Sequence, residues 1–443
     1  MPLEILVKDN TKIKKFKTQL EETGNFVKPI YKELGYTIIR TNLNSSELDF
    51  MQNLFPNEII RKYKDDIKNE NAVTNKQNDT ARDILSFTKI YFQDRIHAER
   101  LNEILEHVPL KYSIYSPVLL LNNSNKRSFN HETWSGLLTE DYYNKLLKFL
   151  SSNSGKANTT TTETLRVIAI NRPIIEHCNI LRRPYNIDLL YSMDHPTDPS
   201  LLPKETLWCE VKQNGIWQTW NPFHTMFSRG NIKEKKRIID TFVDIENNDV
   251  IDLYCGIGYF SFSYLSRNCR NLFGFELNPW SVEGFNRGLK KNKNFGKSLD
   301  KKNDMRPEGI HIYNETNEMS DQRLTEFKLK HQQNNSNVLR IRHINMGLLP
   351  SSRQGYPVAL KLIANHNNWE ECPKITLHVH ENANSKEISQ GYIQEKVLNE
   401  LKFFSDTKIP DMKYQFELIH LEKIKTYAPD IWHVCLDIDI IKL

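Results

Sequence analysis

Two carboxylates, Asp252 and Glu276, each close a short apolar run, and a turn between them carries Gly256 and Gly258. The first stretch reads Val250-Ile251-Asp252-Leu253-Tyr254-Cys255-Gly256-Ile257-Gly258-Tyr259-Phe260, the second Phe273-Gly274-Phe275-Glu276-Leu277-Asn278-Pro279. Glycines in such a turn let the backbone approach a ligand, and the helix that follows offers its N-terminus. Glu276 comes 24 residues after Asp252, near the roughly 20-residue offset at which an acid holds ribose hydroxyls. Ser261 stands where a third glycine would complete a dinucleotide fingerprint, which disfavours NAD. An adenosine ligand such as S-adenosylmethionine needs its ribose held and no pyrophosphate cradled, which suits the shorter loop. A plain strand and turn is the competing reading of a glycine pair; the acid ending each of two successive strands weighs against it.

Cations flank this loop. Arg229, Lys233, Lys235, Lys236 and Arg237 precede it, and Lys290, Lys291, Lys293, Lys297, Lys301 and Lys302 follow it. A solvated helix face explains many lysine runs, but basic clusters on both sides of a ligand loop also fit an anionic macromolecule near the site.

The 443 residues carry a net charge of +5 and are 39% hydrophobic, enough for two to three domains with real cores. Cys178, Cys209, Cys255, Cys269, Cys372 and Cys435 are scattered with no Cys-x-x-Cys pair, so reduced thiols are expected and no metal site. No apolar run approaches the ~20 residues of a membrane span, and Met1-Pro2-Leu3-Glu4 does not read as a secretory signal. A cytoplasmic protein with no membrane association is expected.

The elements that must position the loop follow from periodicity. Residues 1–150 read as a mixed α/β region, with a charged helix from Lys12 to Leu20 and strand character over 111–121. The polar tract from Ser151 to Thr162 reads as a linker or exposed loop, and Leu165 to Ile170 as a buried strand. Asn214-Gly215 between two alternating runs predicts a hairpin, giving a small domain over 164–222. Over 223–443 strands alternate with helices, as a doubly wound sheet requires. Further strands are expected at 309–313, 338–344 and 374–380, with one long helix from Ser385 to Phe404 and a polar surface insertion over 330–337. The last two runs, 416–421 and 432–438, are too close for a crossover helix and must form an antiparallel hairpin. Five parallel strands and a terminal hairpin describe the sheet of S-adenosylmethionine-dependent transferases.

Three segments carry a family resemblance: the Asp252–Phe260 loop, Glu276-Leu277-Asn278-Pro279, and Ile424-Lys425-Thr426-Tyr427-Ala428-Pro429-Asp430-Ile431-Trp432-His433. Together they resemble the archaeal and eukaryotic tRNA guanine-37 N1-methyltransferases and their relatives in wybutosine synthesis. The likeness runs from about residue 165 to the end and reaches back to Tyr115-Ser116-Pro117, Phe129 and Trp134. Within that group the chain is similar to the tRNA aminocarboxypropyltransferases, on three features. Phe227-Ser228-Arg229-Gly230-Asn231 matches their Phe-Ser-x-Gly-Asn block, Glu276 stands where the methyltransferases carry Asp, and Met346-Gly347-Leu348-Leu349-Pro350-Ser351 replaces a shorter Asn-Leu-Pro segment.

The resemblance implies a class I transferase fold, with a seven-stranded Rossmann-like sheet behind smaller N-terminal α/β domains. It implies S-adenosyl-L-methionine as co-substrate and the anticodon loop of phenylalanine tRNA as partner, with no protein partner required. Cofactor contacts are implied at Ser228, Lys235, Glu276, Thr316 and Asn317, beside the loop residues Asp252, Gly256 and Gly258. Lys235 would supply a cation for the cofactor carboxylate, and Ser228 either a hydrogen bond or a helix cap. Thr316 departs from the family's usual acid, and Glu315 is the candidate substitute. The implied reaction presents the methionine γ-carbon, not the methyl, to C7 of 4-demethylwyosine at position 37. Tyr254, Tyr259, Phe260 and Trp280 are candidate stacking rings for the base, each with a core role as the alternative. No catalytic residue is assigned; His343 is considered as a base against the simpler reading of a packed strand histidine. A guanine-37 N1-methyltransferase and a non-catalytic tRNA-binding scaffold are the alternatives.

Overall fold

The computed structural model describes all residues except 1, 10–11, 23–24, 34–35, 63–82, 152–163, 173–186, 294, 296–308 and 332–338. The tract after Ser151, most of the 330–337 insertion, Cys178, Lys297, Lys301 and Lys302 therefore lie outside the described residues. The chain divides into two compact units, Met1–Ala81 and Arg82–Leu443.

In the first unit, β1 (Pro2–Val7), β2 (Phe26–Glu33), β3 (Tyr36–Asn44) and β4 (Ile59–Lys62) form a sheet of order β2-β3-β1-β4. Alternation along β1 sends Leu3, Ile5 and Val7 into a core with Phe16 and Leu20 from the helix Ile13–Glu22 and Phe55 just past the helix Leu48–Leu54. On the opposite face Glu4 is buried and accepts from Arg61 at 2.6 Å and Arg40 at 3.4 Å.

In the second unit β5 (Tyr112–Tyr115), β6 (Val118–Asn122), β7 (Val167–Asn171) and β8 (Ile187–Ser192) lie in one sheet. The expected strand over 111–121 is thus two, reversing direction at Ser116-Pro117. β6 and β7 pair in parallel although they lie on either side of the polar tract, so this sheet crosses the boundary near residue 150, and the unit boundary falls at 81–82 instead. The helices Ile84–Phe92, Ala98–Glu106 and Glu140–Ser151 cover the sheet around Tyr142, which touches Phe87, Phe92 and Phe129.

The hairpin of β9 (Cys209–Gln213) and β10 (Ile216–Trp220) forms as the Asn-Gly pair predicted, with Asn214 at φ +51° and Gly215 at φ +82°. It lies on the helix Pro279–Lys291. A Cβ on Gly284 would come 2.6 Å from the Thr219 carbonyl, and one on Gly288 would meet the Phe262 ring at 2.8 Å. Asn292, just past the helix, accepts from Trp217 N at 2.9 Å and donates to Trp217 O at 2.8 Å.

The main sheet comprises β11 (Asp249–Asp252), β12 (Asn271–Phe275), β13 (Ile310–Tyr313), β14 (Ile341–Met346), β15 (Lys374–Asn384), β16 (Tyr414–Ala428) and β17 (Ile431–Lys442), in the order β13-β12-β11-β14-β15-β17-β16. The first five are parallel and the last two antiparallel, as expected. Neighbouring residues feed different cores. Ile251 and Phe273 pack with the helices Tyr356–His366 and Tyr392–Lys408, whereas Val250 and Leu272 pack with Ile232–Thr241, Ser261–Leu265 and Pro279–Lys291. The strand order turns back at β11, between β12 and β14, and a ligand crevice belongs outside the carboxyl ends of the strands at such a point. The long helix expected from Ser385 is two, Ser385–Ser389 and Tyr392–Lys408, because Gly391 takes φ +80°; a left-handed residue ends the first and starts the second. No helix among the described residues is long and apolar enough to cross a membrane.

Candidate functional site

A cavity of about 470 Å³ opens at that switch point, lined by residues after β11, β12, β13 and β14 and by Thr225 and Met226. Of the site residues read from sequence, Gly256, Glu276, Thr316 and Asn317 line it; Ser228, Lys235, Asp252 and Gly258 do not.

Glu276 directly follows β12, with both carboxylate oxygens fixed by backbone. Oε1 accepts from Asn278 N at 2.7 Å and Oε2 from Gly256 N at 3.0 Å. The loop and the acid thus define each other's positions. Burial pushes the Glu276 carboxyl up to about 7, against those two N–H donors, which favour its charged form. Gly256 holds φ +54°, and a Cβ there would sit 3.0 Å from the Tyr259 ring. Gly258, at φ +86°, serves packing instead: a Cβ would meet Phe262 at 2.9 Å.

Asp252 is fully buried. Ser261 Oγ donates to it at 2.6 Å, Asn345 Nδ2 at 3.1 Å and Tyr254 N at 3.3 Å. It ties the ends of β11 and β14 to the loop from behind the cavity. Asn317 donates to Leu253 O at 3.2 Å, and the Thr316 hydroxyl accepts from Glu318 N at 3.4 Å, capping a short turn. Glu315 lines the cavity but is held by Arg323 through two bonds of 2.7 and 2.8 Å, so its carboxylate is already engaged.

Lys235 and Ser228, outside that lining, are held by protein partners. Lys235 is buried, with its ammonium donating to Gln213 Oε1 at 2.9 Å and to Gln218 Oε1, over the faces of Phe227 and Tyr259. Burial brings its pKa down to about 7. It sits beneath the Tyr259 wall and braces it, and does not reach into the cavity. Ser228 caps nothing with its side chain; its hydroxyl donates to Asn231 Oδ1 at 3.1 Å and accepts from Lys425 Nζ at 2.7 Å.

Among the candidate rings, Tyr254 and Tyr259 line the cavity, while Phe260 stacks on His380 in the core and Trp280 stacks on His224 at 4.1 Å. His343 is enclosed between His378 Nε2 and the Val243 carbonyl, at 3.0 Å each; burial holds its pKa well below the usual range. It is a packed histidine outside the cavity lining.

Thr225, Leu277, Ser281, Glu318 and Gln354, which carry no site role in the sequence pattern, also line the cavity. Leu277 directly follows a strand-end acid, a position that marks a lining residue; Gln354 arrives from a turn with no such signal. The 347–352 segment, noted in sequence, brings Gly347 and Leu348 to the cavity and is clamped by buried Glu381. That carboxylate accepts from Ser351 Oγ at 2.8 Å, Ser352 N at 3.1 Å and Tyr356 Oη at 3.0 Å. Elsewhere Glu234, His380 and Cys435, and likewise His378, Cys435 and Asp437, come within metal-ligating range of one another. Both carboxylates there are taken by Arg237, with 2.6 Å to Glu234 and 3.2 Å to Asp437, so the group is a charge cluster between the Ile232–Thr241 helix and the sheet.

Residues 209–306 match the family profile described as the TRM5/TYW2 methyltransferase domain. Over 100% of the chain and 98% of the relative, the sequence is 42% identical to tRNA wybutosine-synthesizing protein 2 of Saccharomyces cerevisiae. The Schizosaccharomyces pombe protein of the same name is 28% identical over 97% of each chain. A Danio rerio homolog is 28% identical over 48% of this chain and 50% of its own.

Proposed function

Because the chain belongs to the family of tRNA wybutosine-synthesizing protein 2, we propose that it transfers the 3-amino-3-carboxypropyl group of S-adenosyl-L-methionine to C7 of 4-demethylwyosine at position 37 of phenylalanine tRNA. The observation that carries the reading is the pinned carboxylate. Glu276 faces the cavity at the switch point, fixed by Asn278 N and Gly256 N, where an adenosine ribose presents two hydroxyls to accept from.

Gly256, Thr316 and Asn317 share that cavity and are the proposed contacts around the nucleoside. Leu253, Phe275 and Leu277 supply apolar walls. In the reaction the C7 carbon attacks the methionine γ-carbon, the bond from that carbon to sulfur breaks, methylthioadenosine leaves, and the ring proton is lost to solvent. The sulfonium supplies the leaving group, so the protein's part is to orient the γ-carbon against the ring carbon. The Gly347–Ser352 segment, longer than the methyltransferase counterpart and clamped by Glu381, borders the cavity where the methionine arm must choose which carbon to present. The enzyme acts on tRNA in the cytoplasm in this reading.

The test uses two preparations of S-adenosylmethionine, one labelled in the methyl group and one in the carboxyl. Each is incubated with the protein and phenylalanine tRNA bearing the tricyclic precursor. Carboxyl label on the RNA without methyl label is expected. Methyl label alone would make the protein a methyltransferase, and label from neither would leave a tRNA-binding scaffold.

A further inference from the structure

We propose that the helix Pro279–Lys291 and the β9–β10 hairpin seated on it form an RNA-docking ridge that leads the tRNA backbone to the cavity. The proposal rests on the function above for the identity of the RNA.

The ridge starts at the site. Ser281, in the first turn of the helix, lines the cavity, and the helix runs away from it for 13 residues, about 20 Å at ~1.5 Å per residue. Along it, half-exposed tryptophans alternate with cations. Arg287 lies over the Trp208 ring at 4.1 Å, and Lys291 and Lys212 lie over Trp217 at 5.3 and 5.7 Å. Lys290 and Lys293 are exposed beside them. Among the described residues two acids pair with its cations: Glu283 with Arg287, and Glu210 with Lys291. Five cations against two carboxylates among the described residues leave a positive strip, and both paired cations keep about two-fifths of their side chains exposed, 44% for Arg287 and 39% for Lys291.

Charge alone describes many solvated helices. Here the rings add a second element, because each tryptophan holds a cation over its face and so fixes exposed guanidinium and ammonium groups where bases and phosphates can meet them. The ridge is also rigid. Gly284 and Gly288 seat the hairpin backbone against the helix, and Asn292 holds Trp217 through both of its backbone groups. A preformed surface binds without an ordering cost. An acidic protein would match the charge but would leave the alternating rings without purpose, so a single strand or loop flank of RNA is the occupant.

The test is the salt-dependent affinity of the full chain for phenylalanine tRNA, comparing wild type with Lys290→Glu/Lys293→Glu and with Lys148→Glu/Lys402→Glu, an equal charge change on other helices. The ridge variant is expected to bind about tenfold more weakly at about 0.1 M salt, with the slope of log affinity against log salt reduced by about 2. Its affinity for methylthioadenosine and its unfolding midpoint should stay at wild-type values. Equal losses in both variants, or a ridge variant that binds like wild type, would overturn the proposal. The label-transfer assay separates the two claims. A wild type that binds tRNA through the ridge yet transfers nothing would refute the activity alone, and normal transfer with an indifferent ridge would refute the docking alone.

Discussion

Glu276 should make nucleoside binding depend on pH in the neutral range. Its carboxyl is held at about 7 by burial, and only the ionised form presents two acceptors to ribose hydroxyls. If binding requires that form, the observed dissociation constant is the intrinsic one multiplied by one plus the ratio of protonated to ionised carboxyl. With a pKa of about 7, the ionised fraction rises from about one in eleven near pH 6 to about ten in eleven near pH 8. Affinity should therefore rise about tenfold over that interval. S-adenosylmethionine is a poor probe because its own amino group titrates nearby; methylthioadenosine keeps the ribose and has no such group. Isothermal titration calorimetry near pH 6, 7 and 8 gives the curve, and the dependence of the enthalpy on buffer gives the proton released on binding near neutrality. In Glu276→Gln the slope should vanish. At about pH 8 the variant should bind about 10- to 150-fold more weakly, the worth of a hydrogen bond to a charged acceptor at ~1.5–3 kcal/mol. Flat wild-type affinity, affinity that falls as pH rises, or a Gln variant that matches wild type near pH 8 would refute the assignment.

Three further outcomes follow from the packing. Gly284→Ala places a Cβ 2.6 Å from the Thr219 carbonyl and should cost about 1–3 kcal/mol in urea unfolding, because backbone cannot rotate away as a side chain can. For Lys235, burial lowers the folded-state pKa to about 7 from 10.5, so the unfolded chain binds more protons between those values. Wild-type stability should then rise relative to Lys235→Met by up to about 1.4 kcal/mol per pH unit above pH ~7, read from paired denaturation curves. Glu381→Ala removes the acceptor for Ser351, Ser352 and Tyr356. It should cost about 1–3 kcal/mol and raise KM for S-adenosylmethionine, because Gly347 and Leu348 reach the cavity from the same segment.

What was legible in the sequence is what local chemistry determines. Each strand-end acid had an apolar run before it and a turn after it, so Asp252 and Glu276 could be placed without any knowledge of partners. The Asn214-Gly215 hairpin and the terminal β16–β17 pair followed from turn chemistry and from the lack of room for a crossover. Lys235 was illegible for the opposite reason. Among Lys233, Lys235 and Lys236 nothing local marks the inward-facing one, since its acceptors Gln213 and Gln218 lie on a different element. Asp252 and Glu276 looked alike, yet only Glu276 reaches the cavity; Asp252 is claimed by Ser261 and by Asn345, far along the chain. The break at Gly391 was hidden because a glycine inside an apolar helical pattern is compatible with both continuation and a left-handed stop. The β5–β8 sheet was missed as a unit because pairing across a polar tract leaves no periodic trace.

Asn292 has a consequence beyond holding a tryptophan. In a two-residue hairpin the backbone of Trp217, opposite Lys212, faces away from β9, presenting the open edge on which a foreign strand could add. The Asn292 side-chain amide satisfies both groups there and so behaves as a single peptide unit of a third strand that ends where it begins. A two-stranded ribbon with an apolar face is an invitation to self-association. This one carries its own stopper, supplied by the residue just past the neighbouring helix, and Asn292→Ala would reopen the edge to a second copy of the chain.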